Sequence, residues 1–268
     1  MRMCDPVQSL VPKKSGNKAQ GWCILTRRLC ELWTNGEEIL GWGRVCACYP
    51  FAMQDLKNWK GAQPPAKVTL RGRYTTLEPL DAARHGAALW QAIEGHDDLW
   101  AWLPEGPFAT EAEFTAGIEK KQAAPGFVFL AIVPAATGHA AGWASLMRPD
   151  PANGVIEVGF ILYSPALQRT REATEAMYLM MRHAFDDLGY RRYEWKCNAL
   201  NEPSRRAALR LGFTFEGIFR QHMVVKGKNR DSAWFSLLDG EWAAKKRAFE
   251  AWLEPRNFDE AGRQLESL

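Results

Sequence analysis

The sequence predicts an α/β (α+β) protein built on a mixed, mostly antiparallel sheet of about seven strands flanked by helices, with one central parallel pair. Two strand–turn–strand patterns, at 127–147 and 213–238, read as antiparallel hairpins. Between them, 155–199 reads as strand, helix, strand, and two strands joined that way run parallel with a right-handed crossover. With 268 residues, 47% of them hydrophobic, the chain can bury a full core and suits one ordinary domain plus an appendage.

Residues 1–52 sustain neither a helical nor a strand period and are broken at Gly16, Gly21, Gly36, Gly41 and Gly43. They are expected to form a poorly structured N-terminal extension, for which a misassigned start is one explanation, the working protein then beginning at Met53. A polar, Pro-containing lead-in occupies 53–66, the folded domain is expected over 67–242, and 243–268 reads as a C-terminal helix and tail.

Within the domain, Val68 to Leu80 reads as a strand kinked at Arg71-Gly72-Arg73. Asp81 then caps a helix that points Ala83, Ala87, Leu89, Trp90 and Ile93 at the core. Thr110 and Glu113 form a capping box for a second helix running to about Gln122, ended by Pro125-Gly126. Phe127 to Val133 and Gly138 to Met147 make the first hairpin, and the turn PDPANG leads to a strand over Val155 to Tyr163. Ala173, Met177, Met180, Ala184 and Leu188 recur near 3.6 residues, which predicts a helix over Arg171 to Leu188. A strand over Arg191 to Ala199 and a short helix over Ser204 to Leu211 follow. Phe213 to Val225 and Asp231 to Leu238 form the second hairpin about KGKNR, and a helix from Glu241 to about Leu253 closes the chain.

Charge and cysteine usage exclude several classes. Seven Lys/Arg and four Asp/Glu fall in 1–52, so the remainder balances at 27 of each out of 34 and 31. Direct nucleic-acid binding is not expected of such a body, although Arg191, Arg192, Arg205 and Arg206 cluster locally. Five of six cysteines precede residue 53, leaving Cys197 without an internal disulfide partner and pointing to a reducing cytoplasm. Cys23, Cys30, Cys46 and Cys48 lack the spacing of a zinc site, and the five histidines show no metal or triad pattern, so no metal is expected. No run reaches the roughly 20 apolar residues of a membrane helix, and no membrane association is expected.

The chemistry is expected where the first parallel strand meets the following helix, because free N–H groups and the helix dipole there attract phosphate. That connection is Ser164 to Arg171. LQRTREATEA (167–176), CNALNEPSRRAALRLGF (197–213) and GKNRDSAWFSLLDGEW (227–242) together resemble the GNAT superfamily of N-acetyltransferases, particularly its RimJ/RimL-like branch, over about Val68 to Trp242. The first segment is similar to the family's Q-x-x-G-x-A, which wraps the pyrophosphate of CoA. The resemblance thus implies CoA contacts from Gln168, Arg169, Thr170, Arg171, Glu172 and Ala173, with Arg171 standing where the family usually has Gly. The second resembles N-x-x-S before a short helix ending in L-G-F, and implies that Asn201 bonds the pantetheine arm and Ser204 lies near the thioester sulfur. A plain helix-cap or first-turn role for Ser204 stays open.

By that resemblance the chain is expected to be an acetyl-CoA-dependent N-acetyltransferase. It would move an acetyl group to a primary amine, on a protein N-terminus or a small molecule, by direct attack in a ternary complex. Such a reaction needs a neutral amine, a polarised carbonyl and a proton for the leaving thiolate. Glu157, set among apolar residues, is the candidate general base through water, with a structural salt bridge as its other reading. Trp100, Trp102 and Phe108 are expected to wall the acceptor pocket, with core packing as the alternative for them. Asp231 is read first as a turn partner. A monomer or homodimer is expected, and a non-catalytic acyl-CoA-binding or interaction module with the same fold is the competing reading.

Overall fold

The computed structural model describes residues 55–260 and 262–268, and the expectations for 1–52 lie outside them. Contacts divide the chain after Leu56, and the sheet with its helices belongs to the unit Lys57–Leu268. Its strands are β1 (Leu70–Arg71), β2 (Thr75–Pro79), β3 (Phe127–Pro134), β4 (Gly142–Asp150), β5 (Val155–Tyr163), β6 (Arg192–Asn198), β7 (Thr214–Val225) and β8 (Lys228–Leu238). Its α-helices are α1 (Ala82–Ile93), α2 (Glu111–Ala123), α3 (Arg171–Arg182), α4 (Glu202–Arg210) and α5 (Asp239–Trp252). One sheet orders the strands β1-β2-β3-β4-β5-β6-β8-β7. Every neighbouring pair is antiparallel except β5 and β6, which run parallel as expected.

The eight strands exceed the expected seven because Arg71-Gly72-Arg73 is a hairpin, not a kink. Glu175 reaches up from α3, and its carboxylate accepts from the backbone N–H groups of Arg73, Tyr74 and Thr75 at 2.8, 2.7 and 2.7 Å. The turn must therefore lie against that carboxylate, and a Cβ on Gly72 would sit 2.4 Å from its carbon. Only glycine fits.

A second correction concerns the phase of α1. Asp81 caps it through Arg84 N–H at 2.8 Å, but Ala83 and Ala87 are exposed, and the buried face is Ala82, His85, Gly86, Leu89 and Ile93. His85 belongs to that face because both ring nitrogens have partners, Asp81 N–H at 3.0 Å and Glu78 Oε2 at 3.3 Å. Helix α3 is buried at every position from Ala173 to Met181, and a single π-turn over His183–Asp187 carries the chain on to the half-buried Leu188.

Helices cover the two faces of the sheet unequally. Ile156, Val158, Tyr193, Trp195, Phe235 and Leu237 pack with α3 and α5 into one large core. On the opposite face α1 and α2 pack against Phe129, Ala131, Trp143 and Leu162, and no residue of β6, β7 or β8 joins that cluster. Alternation along each strand then sends Glu157, Glu194, Lys196, Arg230, Ser232 and Trp234 to the face over which, among the described residues, no helix packs on β6 to β8.

Candidate active site

The site begins with a bulge. Trp143 pairs with Leu162 but Ser145 with Gly159, so β5 holds an extra residue here, and Phe160 takes a left-handed φ of 50°. Parallel pairing runs from Val155–Arg192 to Val158–Trp195 and stops, while β6 stays paired with β8 as far as Asn198–Ser232. Because β5 follows β4 through the bulge and β6 follows β8, the two strands part. Among the described residues the backbone of β5 beyond Val158 has no strand partner on its β6 side, which leaves polar groups there for a ligand.

A cleft of about 1280 Å³ opens at this parting, bounded by the ends of β5 and β6, the start of α3 and the outer side of α4. All of Gln168, Arg169, Thr170, Arg171, Glu172, Ala173, Asn201 and Ser204 line it, so the structure brings every residue that the resemblance assigned to CoA into one cavity. Trp102 lines it as well. Phe108 instead lines a separate aromatic pocket of about 410 Å³ with Phe127, Phe129 and Phe160. Trp100 is 3% exposed and lines neither; it packs edge-on against Phe108 at 5.1 Å and Phe114 at 6.3 Å, supporting the wall from behind.

The start of α3 is built as an anion seat. Thr170 caps it, its hydroxyl accepting from Ala173 N–H at 3.1 Å and donating to Leu167 O at 2.7 Å, and Arg169 before it takes φ 63°. Arg169, Arg171, Arg206, Arg210 and Arg263 line the cleft against two carboxylates, Asp98 and Glu172, an excess that suits a polyphosphate. Arg171 does not replace the family's glycine by reaching inward. Its guanidinium lies 4.4 Å from the Tyr74 ring centre and 5.5 Å from that of Phe258, and its Nε donates to Glu172 at 3.1 Å.

Across the cleft, Asn201 caps α4, its Oδ1 accepting from Ser204 N–H at 3.2 Å. The cap considered for Ser204 is thus supplied by Asn201. The Ser204 hydroxyl accepts from Trp195 Nε1 at 3.0 Å, which occupies a lone pair and leaves its own proton to donate. Cys197, next to it, is free and buried, and burial pushes its thiol up from the ordinary value, so it stays protonated.

Glu157 does not line the cleft; it lies in the paired stretch of β5, on the face of the sheet opposite Ile156 and Val158, where it makes the salt bridges that were its other reading. It is 4% exposed, and Lys196 Nζ lies 2.8 Å and Arg148 Nη1 3.4 Å from its Oε2. Burial raises its carboxyl above the ordinary value, and the Lys196 and Arg148 charges oppose that rise without cancelling it. Lys196 also meets Glu194 at 3.1 Å and sits 3.6 Å above the Trp234 ring. Asp231 takes the turn role expected of it, accepting from Gln221 N–H at 2.7 Å and Asn229 Nδ2 at 2.9 Å.

Sequence reasoning missed Trp195, Lys196, Trp234 and the C-terminal wall formed by Trp252, Phe258, Arg263 and Gln264. Lys196 had a signal: once β5 and β6 are paired, Glu194 and Lys196 alternate with Tyr193, Trp195 and Cys197 on the side of Glu157. The tail had none. Among the described residues no group of three or more His, Cys, Asp or Glu could hold a metal ion, and no helix is long and apolar enough to cross a membrane.

Known proteins agree with this geometry. The family model for an acetyltransferase (GNAT) domain matches residues 75–214. A GCN5-related N-acetyltransferase from Brucella melitensis is 52% identical, covering 79% of this chain and 97% of its own, with a TM-score of 0.77. A probable GNAT-family acetyltransferase from Chromobacterium violaceum is 43% identical over 72% of this chain and 96% of its own, with a TM-score of 0.68. The Bacillus subtilis protein named "Putative ribosomal N-acetyltransferase YdaF" is 30% identical over 109 residues, a match spanning 41% of this chain and 59% of that protein. A splayed parallel pair with an anion seat at its helix start, matched across more than half of the sequence, makes this chain a member of the GNAT acetyltransferase family, whose acyl donor is acetyl-CoA.

Proposed function

We propose that the protein transfers the acetyl group of acetyl-CoA to a primary amine by direct attack in a ternary complex. The observation that carries this reading is the cleft at the parting of β5 and β6, lined at one end by Ser204 and Asn201 and at the other by the start of α3 with its surrounding arginines. The α3 amides and surrounding arginines hold the phosphates, and Asn201 and the unpaired β5 backbone hold the pantetheine arm. The amine nitrogen forms a bond to the acyl carbon as the carbon–sulfur bond breaks. The Ser204 hydroxyl donates a hydrogen bond to the leaving thiolate, and the proton lost by nitrogen, taken up through water by Glu157, returns through water to that sulfur, so that free CoA thiol leaves and both side chains are restored.

An α-amine, with a pKa near 8, is far easier to deprotonate than a lysine side chain near 10.4, and suits a carboxylate base. The ribosomal name of YdaF likewise favours a protein α-amine over a small-molecule amine. Trp102, which lines the cleft, would meet that acceptor. A cytoplasmic setting fits this reading, and the enzyme works as a monomer or homodimer. Incubation of the full chain with acetyl-CoA and a panel of free-α-amine peptides and small amines tests it. Thiol release with at least one acceptor is expected, and acetyl-CoA binding with no release across the panel would overturn it in favour of a binding module.

A further inference from the structure

The face that carries Glu157 holds an ion-pair network among the described residues that leaves Arg230 out. Arg192 pairs with Glu194 at 2.7 Å and Glu216 at 2.6 Å, Lys196 with Glu157 and Glu194 at 2.8 and 3.1 Å, and Arg148 with Glu157 at 3.4 Å. Three cationic side chains, Arg148, Arg192 and Lys196, thus meet three carboxylates, whereas Arg230 has no ion pair among the described residues. Its guanidinium is half-buried, and its Nε is out of solvent without a hydrogen-bond partner. The indole Nε1 of Trp234, four residues along the same face, is equally buried and unpartnered.

Arg230 also stands close to the chemistry. It lies on the face of the sheet that carries Glu157, two residues before Ser232, which pairs with Asn198 at the end of β6, and its charge acts on Glu157, Arg148 and the Cys197 thiol. Its strand is held in place from both ends: β8 pairs with β6 along Arg192–Asn198, and at the tip of the β7–β8 hairpin Lys226 Nζ donates to Trp100 O at 2.8 Å, across the uncovered face. Nearby His222 bonds Ser232 Oγ at 2.9 Å, and burial followed by the charges of Lys196, Arg148 and Arg230 holds its ring below the usual value, hence neutral.

We propose that Arg230 is a specificity residue that binds a carboxylate carried by the amine acceptor a few ångströms from its reacting nitrogen. A guanidinium offers paired N–H donors that match a carboxylate, and a half-buried charge lacking a protein partner gains most from one supplied by substrate. Trp234 Nε1 supplies a further donor. The carboxylate belongs either to an acidic side chain near a peptide N-terminus or to the α-carboxyl of a small amino acid, and the two are told apart by the test.

The inference rests on the transferase reading, and the test separates the two. With the full chain and acetyl-CoA, kcat/KM is compared for matched acceptors: peptides differing only in Glu or Gln at the second position, and a free amino acid beside its amide. The acid member of at least one pair is expected to be favoured at least about tenfold, chiefly through KM, and the favoured pair identifies the source. R230M should bring that ratio near one, R230K should lie between because it loses the paired donors, and R247M, on α5, should keep the ratio of the unaltered protein. Acetyl-CoA affinity, measured by calorimetry on each variant, shows that the fold persists. Turnover without preference for either acid, or a preference that survives in R230M, overturns the inference alone. No turnover of any acceptor overturns it together with the transferase reading.

Discussion

Toward α3 and α5, strands β5 and β6 present Ile156, Val158, Tyr193 and Trp195, none more than 5% exposed, while the same strands turn Glu157, Glu194 and Lys196 to the other side. The first face is apolar and closed. The second, among the described residues, has no helix packed over β6 to β8, and it concentrates buried charge, Glu157 at 4% and Glu194 at 9% exposure. Stability and chemistry are thus divided by the two-residue period of the strands, and the parting beyond Val158 and Trp195 is where the two sides communicate.

Two glutamates sharpen that contrast, since each is 4% exposed. Glu175, on the closed side, is satisfied by three backbone N–H groups, whereas Glu157 is held by cations and desolvated. Glu175→Ala leaves three donors without a partner beneath the β1–β2 turn and is expected to destabilise the fold by at least about 3 kcal/mol, read by urea unfolding. A loss under about 1 kcal/mol would show that the turn holds without it.

Glu157→Gln should keep the fold and lower kcat/KM by roughly a hundredfold. In the unaltered enzyme the acid limb of the rate profile should fall above the ordinary carboxylate range, because burial raises this carboxyl, and the variant should lose that limb. Stability follows the same sign. Between the ordinary value of 4.5 and the raised one, the native state binds more protons than the unfolded chain, so Glu157's contribution, complete below that window, is lost as pH rises through it. A variant whose stability profile keeps this slope would assign it to another group.

Ser204→Ala acts on the closed side of the gap and should lower kcat about tenfold while leaving acetyl-CoA affinity nearly unchanged. Unchanged turnover would confine the hydroxyl to its bond with Trp195. The smallest effect is expected from Thr170→Ala, which removes the α3 cap. It should cost about 1 kcal/mol of stability and weaken acetyl-CoA binding several-fold, with kcat hardly altered.

Much of the covered face was legible because periodicity reports burial directly. The 3.6-residue recurrence from Ala173 to Ala184 and the apolar run at 127–133 predicted α3 and β3, and three short segments brought the cleft residues together. What escaped depended on partners distant in sequence. The hairpin at Gly72 is imposed by a carboxylate about 100 residues away. The phase of α1 turned on a histidine whose two polar contacts make it a core residue. Arg230 reads as one more arginine in a turn until the sheet order shows that its neighbours' charges are already matched.

Every role proposed for the cleft requires a thioester to pass through the gap between β5 and β6, and a crystal structure of the full chain with CoA is the decisive experiment. The pyrophosphate should lie on the free amides of Arg171 and Glu172, with the sulfur beyond Val158 and Trp195 in hydrogen-bonding reach of the Ser204 hydroxyl. A sulfur resting outside that gap, or β5 and β6 paired to their ends with CoA bound elsewhere, would refute it.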